Sequence, residues 1–109
     1  MTDIQEITQS ILHFRDERDW AQFHTGKDIA ICLSVEASEL LELFLWKKEE
    51  EVNREKLPDE LADVFYSAFL LASQYNLDVK QIVMYKLEKN RQKYPVEKAK
   101  GVNRKWDEG

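Results

Sequence analysis

The sequence has little of what interrupts helices or cross-links a chain. Among 109 residues there are three glycines, two prolines and one cysteine, which favours an all-helical protein and excludes an internal disulfide. The lone Cys32 is expected to be a small buried side chain rather than a reactive thiol. A single cysteine fits a reducing compartment, and residues 1–10 lack the apolar core of a secretion signal. We therefore predict a cytoplasmic protein.

Long apolar runs are also missing. No stretch approaches the ~20 apolar residues of a membrane-spanning helix, so no membrane association is expected. The net charge of −5 argues against nucleic acid as the main partner. That charge is uneven, because nine basic and two acidic residues lie between Lys80 and Trp106. The simplest use of this basic segment is to receive an anion beside an acidic site in the rest of the chain.

The apolar spacing predicts an all-α fold with four helices in a single domain, 1–109. The predicted helices cover residues 3 to about 16, 27 to about 50, 58 to about 75 and 79 to about 93, and about 96–109 forms a polar basic tail. The second and third helices are apolar on almost every side, which is typical of helices buried in a bundle or between subunits. We therefore predict a four-helix, bundle-like fold in an obligate oligomer.

Two acidic pairs stand in surfaces that should be buried. Glu36 and Glu39 belong to the second predicted helix, and Glu60 and Asp63 to the third. The i,i+3 spacing puts both members of a pair on one helix face, and these faces are otherwise apolar. Unpaired buried carboxylates cost several kcal/mol or become protonated, so a positive partner is expected. Carboxylate oxygens favour Mg²⁺, with Mn²⁺ as a possible substitute.

The acidic pairs also have two alternatives to a magnesium site. A di-iron carboxylate bundle expects Glu-x-x-His pairs on two helices, and neither His13 nor His24 has that spacing. Alternatively, the acids form buried or interfacial ion pairs with Lys and Arg side chains of the fourth helix. The carboxylates are therefore a candidate metal site with a purely structural alternative.

Other residues suggest an anionic substrate with a flat ring. Lys86, Asn90 and Lys93 lie roughly on one face of the fourth helix. The connector 20–24 is unusually aromatic, which suits either a pocket wall or a cover for the core. No glycine-rich phosphate loop is present, so phosphate recognition would rest on a metal and side chains. Together these features point to hydrolysis of a nucleotide phosphoanhydride.

The order of the motifs extends this interpretation. Glu36-x-x-Glu39 is followed, after 20 residues, by Glu60-x-x-Asp63. Three more stretches, 18–24, 42–46 and 90–95, flank these pairs in order. Across about residues 10 to 106, the chain resembles the MazG-like all-α nucleoside triphosphate pyrophosphohydrolases, and most of all their dCTP pyrophosphatase branch.

The resemblance implies an Mg²⁺-dependent enzyme that cleaves a nucleoside triphosphate between its α and β phosphates. It assigns all four motif acids to the metal, and it implies a homo-oligomer, of which we favour a tetramer of paired dimers over a dimer. We expect Glu39 to be the catalytic residue that accepts the proton of the attacking water. The resemblance assigns Trp20 and Trp46 to the base, and Lys86, Asn90 and Lys93 to the ribose or the phosphates. We also expect His24, at the end of the aromatic connector, to bind the substrate.

Two departures leave the preferred base open. Ile11 and Ser67 stand where related dCTP-preferring enzymes can carry a pocket histidine and a tyrosine. Tyr66 is adjacent, but on a helix it should point about 100° away from Ser67. Two further interpretations of the whole chain are a non-catalytic nucleotide-binding module and a structural helical bundle.

Overall fold

The computed structural model of the chain describes residues 1–102. It divides into two units, Met1–Leu77 and a second that begins at Asp78. The described residues form helices and turns without strands, so the predicted all-α class is confirmed. Trp106 and the rest of the tail beyond residue 102 lie outside the described residues, and the single domain stays a prediction. The helices are α1 (Asp3–Glu17), α2 (Gly26–Glu42), α3 (Leu57–Gln74), α4 (Val79–Lys93) and α5 (Val96–Ala99).

Threonine capping boxes begin the first two helices. The Thr2 hydroxyl accepts a hydrogen bond from the backbone N–H of Gln5, and the Gln5 side chain accepts one from the Thr2 N–H. Thr25 and Asp28 form the same pair at the start of α2, with N···O distances of 3.0 and 3.1 Å. The hydrogen bonds from Thr25 also lower the pKa of Asp28. These reciprocal bonds satisfy backbone donors that a helix cannot pair internally.

Replacing Thr25 by alanine should destabilise the protein by about 1 kcal/mol, because α2 loses its cap. The measurement is urea unfolding at neutral pH. Thr8→Ala is the matched control, since Thr8 lies inside α1 and its hydroxyl donates to the carbonyl of Ile4. That change should be nearly neutral, because alanine is the better helix former. Equal losses at both positions would contradict the assigned cap.

The predicted end of α2 near residue 50 is wrong, because the helix ends at Glu42. Beyond it, residues 43–46 form tight turns held by bonds such as Phe44 N–H to Leu41 O at 2.9 Å. Trp46 then adopts a left-handed backbone conformation, with φ of 62°. This conformation cannot continue a right-handed helix, and the apolar spacing of residues 43–46 gave no sign of it. A short 3₁₀ turn at Glu49–Glu51 follows.

The other predicted helix ends are confirmed within about one residue. Pro58 lies in the first turn of α3, where it needs no N–H partner. Asn76 follows α3 with a left-handed φ of 56°, as expected of a residue that terminates a helix. The carboxylate of Asp78 then caps α4 by accepting from the Gln81 N–H at 2.9 Å. The short helix α5 was not predicted, since its residues were assigned to the tail.

In the first unit, α3 packs against both α2 and α1. Its fully buried side chains are few, and Ile29 is the most enclosed at 1% exposure. Cys32 is exposed, so the prediction that it is buried is wrong for the single chain. Among the described helices, none has the combination of length and hydropathy needed to cross a bilayer. Large apolar side chains on α2 and α3 that remain exposed are Ile31, Val35, Leu41, Leu61 and Phe65.

Candidate metal centre and adjoining cleft

The packing of α2 against α3 brings three of the four motif carboxylates together. One oxygen each of Glu36, Glu60 and Asp63 lies within 4.8 Å of the other two. Glu36 and Glu60 are partly buried, whereas Asp63 is exposed. The i,i+3 spacing of Glu60 and Asp63 aims both at the partner helix, as the sequence predicted. Such a set of converging oxygens is the ligand type that hard divalent cations prefer.

The negative charges of this carboxylate cluster are not balanced by a basic side chain in residues 1–77. Within the residues that the structure describes, the Oε2 atoms of Glu36 and Glu60 are buried without a hydrogen-bond partner. Burial raises the pKa of Glu36 above its ordinary value of 4.5, and the charges of Glu39 and Asp63 raise it further. In residues 1–77 no lysine or arginine forms an ion pair with any of the four acids. The donor set therefore fits a divalent metal ion.

Glu39 lies beside the three clustered carboxylates rather than among them. After burial, the negative charge of Glu39 is the next largest cause of the raised pKa of Glu36. Its side chain is exposed, so the expectation that apolar residues enclose Glu39 is wrong for the single chain. This position gives its carboxylate access to water while keeping it next to the cluster.

A cleft of about 800 Å³ opens next to the carboxylates, and Asp63 belongs to both. This volume is within the usual range for small-molecule sites. One face of α1 forms one wall of the cleft, and Asp63 and Tyr66 of α3 form another. Trp20 completes the lining, which agrees with the first of the two alternatives for the connector 20–24, a pocket wall rather than a cover for the core. The lining residues from α1 are Asp3, Glu6, Ile7, Ser10, Ile11 and Phe14.

Aromatic rings pack edge to face in the wall of this cleft. The Phe14 ring lies 5.8 Å from Trp20 and 6.2 Å from Tyr66, with interplanar angles of 76° and 87°. The Arg18 guanidinium stacks 3.8 Å from the centre of Phe14 and donates to its backbone carbonyl. Burial raises the pKa of Tyr66 above its ordinary value of 10.0, so the phenol stays protonated at neutral pH. The wall offers rigid apolar faces on which a flat ring can stack.

Phe14 and Tyr66 were missed as site residues from the sequence. Tyr66 was expected to point away from Ser67, and it does: Ser67 is buried in the core, whereas Tyr66 faces the cleft. Phe14 belongs to the apolar spacing of the first helix, and that spacing does not reveal a cleft between this helix and Asp63.

The remaining predicted substrate residues do not line this cleft in the first unit. Trp46 is 98% exposed on the turn after α2. His24 is partly buried, and its Nδ1 atom has no partner among the described residues. In the second unit, Lys86 and Asn90 line a groove of about 330 Å³ on α4, and Lys93 lies in the last turn of that helix. Their roles stay predictions.

Comparison with known proteins supports the family suggested by the motifs. Residues 31–108 match the model of the MazG-like family. The chain is 35% identical over 106 residues to dCTP pyrophosphatase 1 of Bos taurus, which covers 90% of this chain and 63% of that protein. Against the Homo sapiens protein of the same name, identity is 34% over 113 residues, 96% of this chain and 66% of that protein. The chain thus spans less than two thirds of the length of these relatives.

A solved structure agrees with the fold. The crystal structure of a pyrophosphatase from Archaeoglobus fulgidus superposes with a TM-score of 0.82 and 33% sequence identity. The match covers 87% of this chain and 94% of that one. The chain belongs to the MazG-like family.

Proposed function

We propose that this protein is an Mg²⁺-dependent nucleoside triphosphate pyrophosphohydrolase. It cleaves the bond between the α and β phosphates and releases a monophosphate and pyrophosphate. The observation that carries this proposal is the cluster of Glu36, Glu60 and Asp63, whose oxygens converge within 4.8 Å beside an aromatic cleft. The names of the relatives, dCTP pyrophosphatase and pyrophosphatase, support the same reaction.

Glu36, Glu60 and Asp63 would hold the Mg²⁺, with Glu39 as a fourth ligand or an immediate neighbour. Mn²⁺ is a possible substitute, because it accepts the same oxygen ligands. When bound, the ion polarises the phosphate oxygens and offsets the charge of the leaving pyrophosphate. The unpartnered Oε2 atoms of Glu36 and Glu60 support this assignment, since a cation would satisfy both.

Glu39 is the proposed general base. Its exposed carboxylate can take a proton from the water that attacks the α-phosphorus.

The nucleotide would lie along the cleft, with its base against Trp20 and its phosphates near Asp63. The fully exposed Trp46 and the partly buried His24 are proposed to contact the same nucleotide in the assembled protein. Lys86, Asn90 and Lys93 of α4 are proposed to face the ribose or the phosphates, because they supply the positive and hydrogen-bonding groups that a triphosphate needs.

A homotetramer of paired dimers is the proposed assembly. The exposed apolar side chains of α2 and α3 support it, since single chains rarely leave so many large apolar groups in water. The cytoplasm is the proposed location, because one cysteine in 109 residues suits a reducing compartment.

The test is a panel of canonical and modified triphosphates with and without Mg²⁺, in which monophosphate, pyrophosphate and inorganic phosphate are measured separately. We expect equal amounts of monophosphate and pyrophosphate, no hydrolysis after chelation, and partial recovery with Mn²⁺. Binding of triphosphates without any cleavage would contradict the proposal and favour a non-catalytic nucleotide-binding module.

A further inference from the structure

The turn that ends α1 brings Trp20 back against the helix. Asp19 has a left-handed backbone conformation, with φ of 54°. Its N–H donates to the carbonyl of Asp16, and the N–H of Trp20 donates to the carbonyl of Arg15, both at 3.1 Å. These two bonds are those of a Schellman motif, in which the residue after the left-handed one often packs on the last turns of the helix. The turn therefore determines where the Trp20 side chain lies.

The side-chain contact that accompanies this motif is an aromatic pair. The rings of Trp20 and Phe14 pack edge to face, with their centres 5.8 Å apart. Trp20 also lines the cleft and is 41% exposed, so part of it is free to meet a ligand. Phe14 thus supports one part of the indole while another part faces the cleft.

Arg18 lies beside both rings where they meet. Its guanidinium carbon is 3.8 Å from the centre of the Phe14 ring and 6.0 Å from that of Trp20. Both distances are within the range of cation–π attraction. A hydrogen bond of 2.9 Å to the backbone carbonyl of Phe14 holds the guanidinium there, whereas the ion pair of Arg18 with Glu17 is longer, at 3.8 Å. The cation is therefore fixed by Phe14 and can attract the indole.

The Asp19 side chain ties the same turn to the segment that follows. The amide of Gln22 donates to the Asp19 carboxylate at 2.9 Å and to the Asp19 carbonyl at 3.1 Å. Gln22 belongs to the short 3₁₀ helix Ala21–Phe23. The left-handed conformation is uncommon for residues other than glycine, and aspartate is one of those that tolerate it. Trp20 is thus held between two hydrogen-bonded segments.

We propose that Arg18 is a positioning residue for the nucleotide and that it acts through Trp20. Together with the turn at Asp19, it holds the indole in place before the nucleotide binds, so that the base stacks on a preformed surface. A side chain that became ordered only on binding would lower the affinity. Arg18 is not among the residues that line the cleft. This inference rests on the proposed function, because it takes Trp20 to be a residue that stacks on the base.

The test is a double-mutant cycle of Arg18→Ala and Trp20→Ala, measured by calorimetric titration of the α,β-methylene analogue of dCTP with Mg²⁺. Arg18→Ala should raise Kd about three- to tenfold, the cost of ordering one large side chain on binding. Trp20→Ala should raise Kd at least about fivefold through loss of stacking. In the Trp20→Ala background, Arg18→Ala should change Kd by less than about twofold, because its effect passes through the indole.

Steady-state hydrolysis of dCTP supplies a second measurement. Arg18→Ala should raise KM and leave kcat within about twofold, because Arg18 affects binding of the base rather than the reacting phosphates. Arg54→Ala is the matched control, since it makes the same change on an exposed residue outside the cleft. It should leave Kd and KM unchanged.

Two variants of Asp19 test the turn without altering Arg18, and they keep the inference testable if Arg18→Ala does not fold. Asp19→Gly should keep Kd within about threefold of wild type, because glycine adopts the left-handed conformation freely. Asp19→Val should raise Kd about tenfold, because a branched side chain disfavours that conformation. Equal Kd values for these two variants would contradict the proposed role of the turn.

The cycle distinguishes positioning from a merely structural role at the end of α1. A structural role of Arg18 would lower the Tm without changing Kd, or would raise Kd by the same factor with and without Trp20. Either result, or an unchanged Kd in Trp20→Ala, would overturn the inference. Cleavage of dCTP without coupling between Arg18 and Trp20 would uphold the hydrolase alone. Coupling in binding without cleavage of dCTP would uphold the inference and contradict the proposed reaction.

Discussion

Glu36→Gln is expected to stabilise the metal-free protein and, at the same time, to abolish its activity. The four acids repel one another without a cation, and the raised pKa of Glu36 reports that repulsion and its burial. Glutamine keeps the shape without the charge, so the metal-free Tm at pH 7 should rise by roughly 4–8 °C, the shift that about 1 kcal/mol gives in a domain of this size. Hydrolysis should fall at least about 100-fold through loss of a metal ligand.

The Tm increase expected for metal-free Glu36→Gln should depend on pH, and the raised pKa of Glu36 gives its direction. Because the pKa of Glu36 is raised on folding, protonation stabilises the folded wild type below the ordinary value of 4.5, and this contribution is lost as the pH rises through the folded pKa. The Tm difference between Glu36→Gln and wild type should therefore be small at pH 4 and should grow toward pH 7.

Glu42→Gln is the control, because it makes the same change on an exposed residue at the end of α2. It should alter neither the metal-free Tm nor the activity appreciably. Mg²⁺ should raise the Tm of wild type and of this control, but not that of Glu36→Gln. A metal-free Glu36→Gln that is less stable than wild type would show that the carboxylate has a favourable partner in the folded protein.

Glu39→Gln should separate catalysis from metal binding. As the general base, Glu39 should contribute about 10²–10⁴-fold to turnover. The three clustered oxygens belong to Glu36, Glu60 and Asp63, so the Tm increase on adding Mg²⁺ should persist in Glu39→Gln. Turnover is measured with saturating triphosphate and Mg²⁺, and Mg²⁺-dependent stabilisation by thermal melting.

Two results would revise the role of Glu39. Near-normal turnover of Glu39→Gln would remove it as the base. Loss of both turnover and Mg²⁺-dependent stabilisation would indicate that Glu39 acts mainly as a metal ligand. Glu42→Gln again serves as the control, because Glu42 follows Glu39 by three residues on the same helix.

The fold and the acidic cluster were predictable because each rests on local spacing. An i,i+3 acidic pair on an apolar helix face is costly unless a partner helix brings a cation or a metal, and α2 and α3 do pack together. Helix ends such as the left-handed Asn76 and the Asp78 cap also depend on single residues with special backbone or capping chemistry. Each of these features needs only residues within one or two helical turns.

The end of α2 and the cleft were not predictable in the same way. Residues 43–46 are apolar and continue the helical spacing, and that spacing gives no sign of the left-handed conformation of Trp46. The cleft lies where α1 meets α3, between residues about 50 positions apart in sequence such as Phe14 and Tyr66. Periodicity along one helix does not report contacts between segments so far apart.

The most direct test of the proposed reaction is hydrolysis of dCTP with Mg²⁺ in water enriched in ¹⁸O, followed by mass spectrometry of both products. Attack of water on the α-phosphorus, as proposed for a base at Glu39, predicts one ¹⁸O atom in the monophosphate and none in the pyrophosphate. Label in the pyrophosphate, or release of inorganic phosphate in place of pyrophosphate, would contradict cleavage by attack at the α-phosphorus.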